Sequence, residues 1–263
     1  MLGVSKATSD LLVFTDAATE IGAGSFRAMA GLLSDPEIGA VSSEDRFRSR
    51  DGQIVGEGLY VRFEMWLRRL ESRAAGLVGL SGSLFATRRS ICAEWLPHVC
   101  SDFRTGLACA RQGLRAVSAP EVVGIYSDLK DPSKEYPRKK RTILRGMTGL
   151  AAAREILDFR RHGLFAFQVW SHKIMRWATP WFLLLLAVTS IACAPHSAIC
   201  ALAVAGQVVF YGLALLGLLV PGLRDTTLVR IPYYFVQVNL AMAQALIDYS
   251  RGRRVVVWQP SAR

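Results

Sequence analysis

Three side chains in this sequence have types and settings suited to phosphate and proton chemistry. Asp16 sits within LLVFTDAATE, residues 11–20, where four apolar residues run into Thr15 and the acid. A short apolar run followed by a polar loop reads as a strand of a parallel sheet, and ligands bind at the carboxyl ends of such strands in open α/β sheets. A carboxylate placed there can hold a divalent cation and, through it, a diphosphate. Asp102, in CSDFRTGLACARQGLRAV, opens a predicted helix that ends at Gly113 and runs into a strand. An acid at that position can act as a general base. Arg141, in RKKRT, can clamp a phosphate through two parallel hydrogen bonds. Each also has a plainer reading, with both acids as helix N-caps and the arginine as a solvated charge.

The elements that must position these groups alternate between strand and helix over residues 1–125. LLVF and IGAVSS are short and strand-like. Between them, SFRAMAGLLSDPE has helical spacing and stops at Asp35-Pro36, where proline ends helices. VRFEMWLRRLESRAA repeats its apolar residues three and four apart with charges opposite, so a second helix is predicted. VGLSGSLFATRR reads as a strand with a glycine-serine turn that opens into a helix, and LRAVSAPEVVGIYS as paired short strands around a proline turn.

The second half changes character. Residues 177–223 contain no Asp, Glu, Lys or Arg. As helix, such a stretch rises roughly 70 Å, against about 30 Å of bilayer hydrocarbon, so two passes fit. The turn falls in APHS, and the passes are predicted at 178–194 and 198–220. Lys173, Arg176, Arg224 and Arg230 flank the far ends, and the turn has no fixed charge. The positive-inside rule then places the preceding domain in the cytoplasm, with Trp177 and Trp181 in an aromatic belt. Residues 231–249 are apolar but carry Gln237, Asn239, Gln244 and Asp248, and three arginines follow. An interfacial or re-entrant helix is predicted there, with a third crossing as the alternative.

Composition agrees with a bilayer partner. The 263 residues are 51% hydrophobic and 20% charged, with formal net charge +11. No basic tail, zinc-finger or helix-turn-helix spacing is present, so no nucleic-acid partner is expected. The five cysteines form no metal-ligand pattern and read as small buried hydrophobes in a reducing compartment, although Cys193 and Cys200 can pair if both face an oxidising space. No signal peptide follows Met1.

Six segments, in order, resemble the membrane-bound, processive-type family 2 glycosyltransferases of the cellulose-synthase and hyaluronan-synthase sort. VFTDAAT is similar to the strand with the DxD-type site, and EGLYVRFEMWLRRLESRAAGLVGLSGSLFATRRS to the segment leading to the donor-side glycine. SDFRTGLACARQGLRAV resembles the acidic motif that carries the base, and KEYPRKKRTILRG occupies the place of QxxRW. AFQVWSHKIMRWATPW resembles the interface segment entering the membrane, and YYFVQVNLAMAQAL with its arginine-rich tail the C-terminal ending. The resemblance implies an α/β chain: a partial GT-A domain over residues 1–150, an amphipathic interface segment over 151–177, a transmembrane hairpin over 178–220, and an interfacial or third membrane helix with a cytoplasmic tail over 231–263. It implies an inverting transfer from a nucleotide-sugar donor, UDP-linked, to a saccharide or lipid-linked acceptor at a bacterial inner membrane. Asp102 is then the base and Asp16 the ligand of Mg²⁺ or Mn²⁺ and of the donor. Gly82 and Ser83 line the donor pocket, and Arg141 clamps the diphosphate.

The sequence departs from that pattern in four places. Ala18 stands where DxD has its second acid, and Ser101 where the acidic motif has its glutamate. Arg138 and Thr142 replace the glutamine and tryptophan of QxxRW, which removes the stacking platform for a growing glucan. The strand-helix units that precede the DxD strand in a GT-A sheet have no counterpart in the ten residues before Leu11. Met1 is therefore expected to be an internal methionine of an enzyme longer by about 100 residues, a plausible half-domain. A non-catalytic remnant or a partner-dependent membrane subunit is the alternative. A membrane anchor or transporter part is a third reading, with poor support, because the membrane segments carry no acid or lysine.

Overall fold

A computed structural model describes residues 2–48, 54–55, 59–96, 99–127 and 135–255. The chain forms two compact units. The first comprises Met1–Pro132, Arg145–Lys173 and Arg254–Arg263, and the second Ser133–Leu144 with Ile174–Arg253.

The first unit is built on a mixed sheet. Its strands among the described residues are β1 (Leu11–Thr15), β2 (Glu20–Ile21), β3 (Ile38–Arg48), β4 (Ile54–Val55), β5 (Leu84–Arg88) and β6 (Arg115–Ser127). They are ordered β1-β5-β3-β6-β2, with β4 turned back on β3. Helices α1 (Leu2–Lys6), α2 (Ser25–Leu32), α3 (Leu59–Ala74), α4 (Arg89–Cys92) and α5 (Ser101–Arg111) fill the connections. Strand β5 explains the two-faced core. Its residues Leu84 to Thr87 are all buried, so successive side chains feed opposite layers. Leu84 and Ala86 join Met29, Leu33, Val41 and Val122 on one face, and Phe85 joins Leu77, Ile91, Trp95, Ala108 and Cys109 on the other. Phe14 stacks on Phe85 with centroids 5.1 Å apart and meets Trp95 at 4.7 Å, which fastens β1 to that second layer.

Two strand expectations change. β1 was read as a parallel strand, yet it pairs with β5 in antiparallel register from Leu11–Arg88 to Thr15–Leu84. Among the described residues the parallel ladder is β3 with β6. LRAVSAPEVVGIYS forms one strand, not two. Its register on β3 jumps from Ser43–Ala119 to Glu44–Val123, so Pro120, which has no N–H to donate, sits at a bulge.

The predicted helix opened by Asp102 is α5. It closes at Gly113, whose φ of 72° suits glycine, and the chain enters β6. α5 lies unusually close to the loop before β5. A side-chain carbon at Gly106 would stand 2.8 Å from the carbonyl oxygens of both Leu77 and Val78.

The remaining helices are α6 (Glu135–Ala151), α7 (Phe159–Val169), α8 (Met175–Cys193), α9 (Ala198–Leu219) and α10 (Thr227–Ser250). A π-helical turn, Trp170–Ile174, separates α7 from α8. Within the second unit α8, α9 and α10 pack together. The Gln207 amide donates to Ser190 Oγ at 2.9 Å between α8 and α9. Gly217 admits Val229 and Tyr233 from α10 to α9. Lys140 meets Asp248 at 2.7 Å, and the paired cation holds that carboxyl below its usual range. The predicted turn in APHS is a short 3₁₀ turn, Ala194–His196. Among the described residues two helical runs, Phe159–His196 and Ala198–Leu219, are long and apolar enough to cross a membrane. Leu184, Leu185, Ile191, Val208 and Leu215 point outward from them. The uncharged stretch begins only at Trp177.

Among the described residues no disulfide joins Cys92, Cys100, Cys109, Cys193 or Cys200. Burial pushes the Cys92 and Cys109 thiols up to about 11 and about 12, while Cys193 is exposed.

Gly106→Ala is expected to destabilise the first unit by about 2 kcal/mol, because neither carbonyl can move freely away. Thermal melts of the detergent-purified chain measure this, and an unchanged melting temperature would mean α5 can ride up without cost.

Candidate active site

Strands β1 and β3 are both antiparallel to β5, so they run in the same direction and their carboxyl ends share one edge of the sheet. Each ends in an acid, Asp16 after β1 and Asp45 near the end of β3. The Asp16 N–H donates to the Ser83 carbonyl at 3.0 Å, and the Asp16 carbonyl accepts from Thr19 N–H at 3.0 Å. Asp16 is thereby fixed in a tight turn against the loop that enters β5.

That loop, residues 77–83, joins the site together. Leu77 N–H donates to the Ala116 carbonyl at 2.7 Å, and Leu80 N–H to the Asp102 carbonyl at 3.3 Å. A side-chain carbon on Gly82 would stand 3.2 Å from Asp102 Oδ2. Gly82 is exposed, so the space it leaves above the carboxylate is open. Ser83 faces Asp45: Ser43, Ser81 and Ser83 hydroxyls lie 2.9, 2.7 and 2.7 Å from Asp45 Oδ1. Ser81 N–H donates to Ser42 Oγ at 2.7 Å, and that same Ser42 oxygen accepts from buried Arg68 at 2.6 Å. Arg69 forks onto both Glu44 oxygens at 2.7 Å, so α3 is tied twice to β3.

Of the five sequence-predicted residues, Asp16, Gly82, Ser83 and Asp102 come together around this loop. Arg141 lies on α6, in the Ser133–Leu144 segment of the second unit. Ser83 is turned toward Asp45, and its carbonyl, not its hydroxyl, meets Asp16.

Asp102 is strongly perturbed. Burial raises its pKa above the usual carboxylate value, and the Phe103 N–H, Lys173 and Arg145 oppose that rise. Behind it sits a charged cluster. The side chain of His172 is 10% exposed and bonds Glu71 through Nδ1, with Nε2 3.7 Å from Glu64. Glu71 also accepts from Val78 N–H at 3.4 Å. Burial lowers the His172 pKa, but the Glu64 and Glu71 hydrogen bonds outweigh it, and the net shift is upward. Lys173 Nζ stands 5.5 Å over the Phe103 ring.

Asp45, Arg68, Glu71, His172 and Lys173 were missed from sequence. Asp45 carried a usable signal, an acid at the end of a predicted apolar strand. The others are joined only across long separations; His172 and Glu71 are 101 residues apart.

Among the described residues no three His, Cys, Asp or Glu side chains cluster to hold a metal ion. Asp16 is the carboxylate at the sheet edge, and Ala18 adds none. Such a site suits a divalent cation that takes most of its remaining ligands from phosphate oxygens and water.

No family model matches the chain, and no curated protein sequence does. Solved structures match in fold. One is the mannosyltransferase PcManGT from Pyrobaculum calidifontis, in complex with GDP-Man and Mn²⁺. It superposes over 96% of this chain and 66% of its own, with 22% sequence identity and a TM-score of 0.69. The chain has a glycosyltransferase fold. It spans about two thirds of the length of that mannosyltransferase. The GT-A-like assignment drawn from the six segments is thus matched at the level of fold.

The raised His172 pKa fixes the sign of a pH effect. The imidazolium stabilises the native unit fully below the unfolded value of about 6.5, and the contribution is lost as pH climbs through the raised native value. Glu71→Gln is expected to lower the His172 midpoint read by NMR and to flatten the fall in melting temperature above that pH. A midpoint that stays put would show that Glu71 is not what holds the charge.

Proposed function

We propose that this chain is a membrane glycosyltransferase that moves a sugar from a nucleotide donor to a polysaccharide or lipid-linked acceptor. The observation that carries it is the convergence on one loop, in a glycosyltransferase-folded unit, of the Asp16 turn and the Asp102 carboxylate beneath exposed Gly82. Gly82 leaves room for the sugar, where a side chain would press on the base.

In the proposed inverting reaction Asp102 takes the proton as the acceptor O–H bond breaks. The acceptor oxygen forms a bond to the anomeric carbon, and the bond from that carbon to the diphosphate breaks with its electron pair on the leaving oxygen. Asp16 would hold Mg²⁺ or Mn²⁺, and such a cation would supply positive charge to the leaving diphosphate. The donor is a nucleoside diphosphate sugar. UDP follows from the family resemblance, and GDP is what the mannosyltransferase binds, so both are screened.

Membrane residence is part of the proposal. Two apolar helices, uncharged from Trp177 through Leu219 and with outward leucines and isoleucines, support it. So does α7, which buries Phe165, Ala166 and Val169 and exposes Leu164 and Phe167. The proposed setting is a bacterial inner membrane with the catalytic unit cytoplasmic.

A second reading rests on a specific observation: among the described residues β1 pairs along one edge only, with β5. If a second polypeptide must complete the nucleotide site, this chain is a partner-dependent subunit.

The test uses the full chain in detergent with UDP- and GDP-sugars and Mn²⁺. Asp102→Asn is expected to lower kcat at least about 100-fold while leaving nucleotide affinity within about twofold. Wild-type rates in that variant would remove Asp102 as base. No calorimetric binding of UDP or GDP by the wild-type chain would favour the partner-dependent reading.

A further inference from the structure

A general base must be ionised to work, and Asp102 is held where burial favours its neutral form. The cations around it decide the balance. On α3 the charged groups facing this region are Glu64, Arg68 and Glu71; α6 supplies Arg145; the π-helical turn supplies His172 and Lys173. Arg68 is engaged with Ser42, and His172 with Glu71 and Glu64. Lys173 and Arg145 are the cations that act directly on Asp102, Lys173 the more strongly, and Lys173 is turned toward the base's own helix. Its Nζ lies over the ring of Phe103, the residue after Asp102, and 3.9 Å from where a side-chain carbon on Gly79 would stand. Gly79 and Gly82 belong to the same loop, so Lys173 approaches one end of it and Asp102 the other.

We infer that Lys173 is a positioning residue for Asp102: seated behind the loop of residues 79–82, and anchored through the adjacent His172–Glu71 pair, its ammonium keeps the carboxyl ionised and able to take the acceptor proton. This deepens the transferase proposal and rests on Asp102 being the base. The turn containing Lys173 supports it. A π-helical turn inserts one extra residue, which rotates the side chains that follow relative to an ordinary helix. Here that turn brings two consecutive residues, His172 and Lys173, onto partners in the same unit. The coupling is mutual: burial lowers the Lys173 pKa, and Glu71, Glu64 and Asp102 are among the groups that raise it again.

The test reads Asp102 directly and through turnover. In the full detergent-purified chain, the Asp102 carboxyl band is assigned by infrared difference against Asp102→Asn and titrated. The acid limb of kcat is followed in parallel with whichever nucleotide sugar is turned over. Lys173→Met is expected to move both midpoints up by about one to three pH units, the range for losing an adjacent opposite charge. Turnover on the acid limb then falls about tenfold for each unit. Lys173→Arg, which keeps the charge, is expected to stay near wild type. Reduced kcat in Lys173→Met with an unmoved carboxyl midpoint would make Lys173 merely structural and overturn the inference. A midpoint that moves in a chain with no turnover of any donor would retire the transferase proposal and leave the coupling standing.

If Lys173→Met fails to fold, the double variant with Asp102→Asn decides. Coupled charges predict that the double melts well above the single, because no uncompensated carboxylate is left behind. A double variant as unstable as the single would overturn the inference.

Discussion

The site depends on how closely α5 lies on the loop of residues 77–83. Gly106 permits that approach, since its missing side chain is the space taken by the Leu77 and Val78 carbonyl oxygens. Leu80 N–H then reaches the Asp102 carbonyl, and Gly82 comes to lie against the Asp102 carboxylate. The other end of the loop is held by Leu77 on β6 and by Ser83 on the Asp16 turn. One backbone segment therefore sets the distance between the sheet edge, where a diphosphate is proposed to sit, and Asp102, the proposed base. A loop fixed at both ends by backbone hydrogen bonds cannot slide without breaking several of them together. That makes it a better ruler than a loop held by side chains alone.

Around this ruler the charges are arranged in two tiers. Serines 42, 43, 81 and 83 surround Asp45 and the end of Arg68, so a carboxylate and a guanidinium are tied to the loop by hydroxyls instead of to each other. Hydroxyls accept and donate, so they bond both groups without a fully buried ion pair, although Arg68 Nε is left buried without a hydrogen-bond partner. The tier behind Asp102 uses direct pairing, with His172 bonded to Glu71 and close to Glu64. Glu71 spends its second oxygen on Val78 N–H, in the same loop. The far cluster and the near one thus meet at residues 77–83.

Much of this was legible in the sequence because it is local. LLVF ending at Asp16 is a strand because four apolar residues precede a polar turn, and α5 begins and ends where its acid and its glycine say. Asp16 and Asp102 were found by reading outward from such elements, while Gly82 and Ser83 came from the family resemblance. What escaped depends on pairing across the chain. Antiparallel pairing of β1 with β5 leaves no mark in LLVFT, whose apolar run fits either direction. Pro120 looks like a turn because proline usually ends a strand, and only the register jump on β3 shows a bulge instead. Lys173 was invisible for a different reason: it stands just before the uncharged stretch, where a lysine reads as a membrane flank. Its role comes from a π-helical turn and from Phe103, some seventy positions earlier.

Ala18 has a consequence for the proposed reaction. Two protein carboxylates at a sheet edge can retain a divalent cation between turnovers, but a single one leaves most of the coordination shell to water and phosphate. In the proposed reaction the cation's affinity would then depend on the donor's diphosphate, so that metal and nucleotide would bind as a pair. Asp45 does not fill the gap, because three serine hydroxyls lie within 2.9 Å of its Oδ1 and a cation there would have to displace them. Stabilising the departing charge falls correspondingly more on fixed cations of the protein.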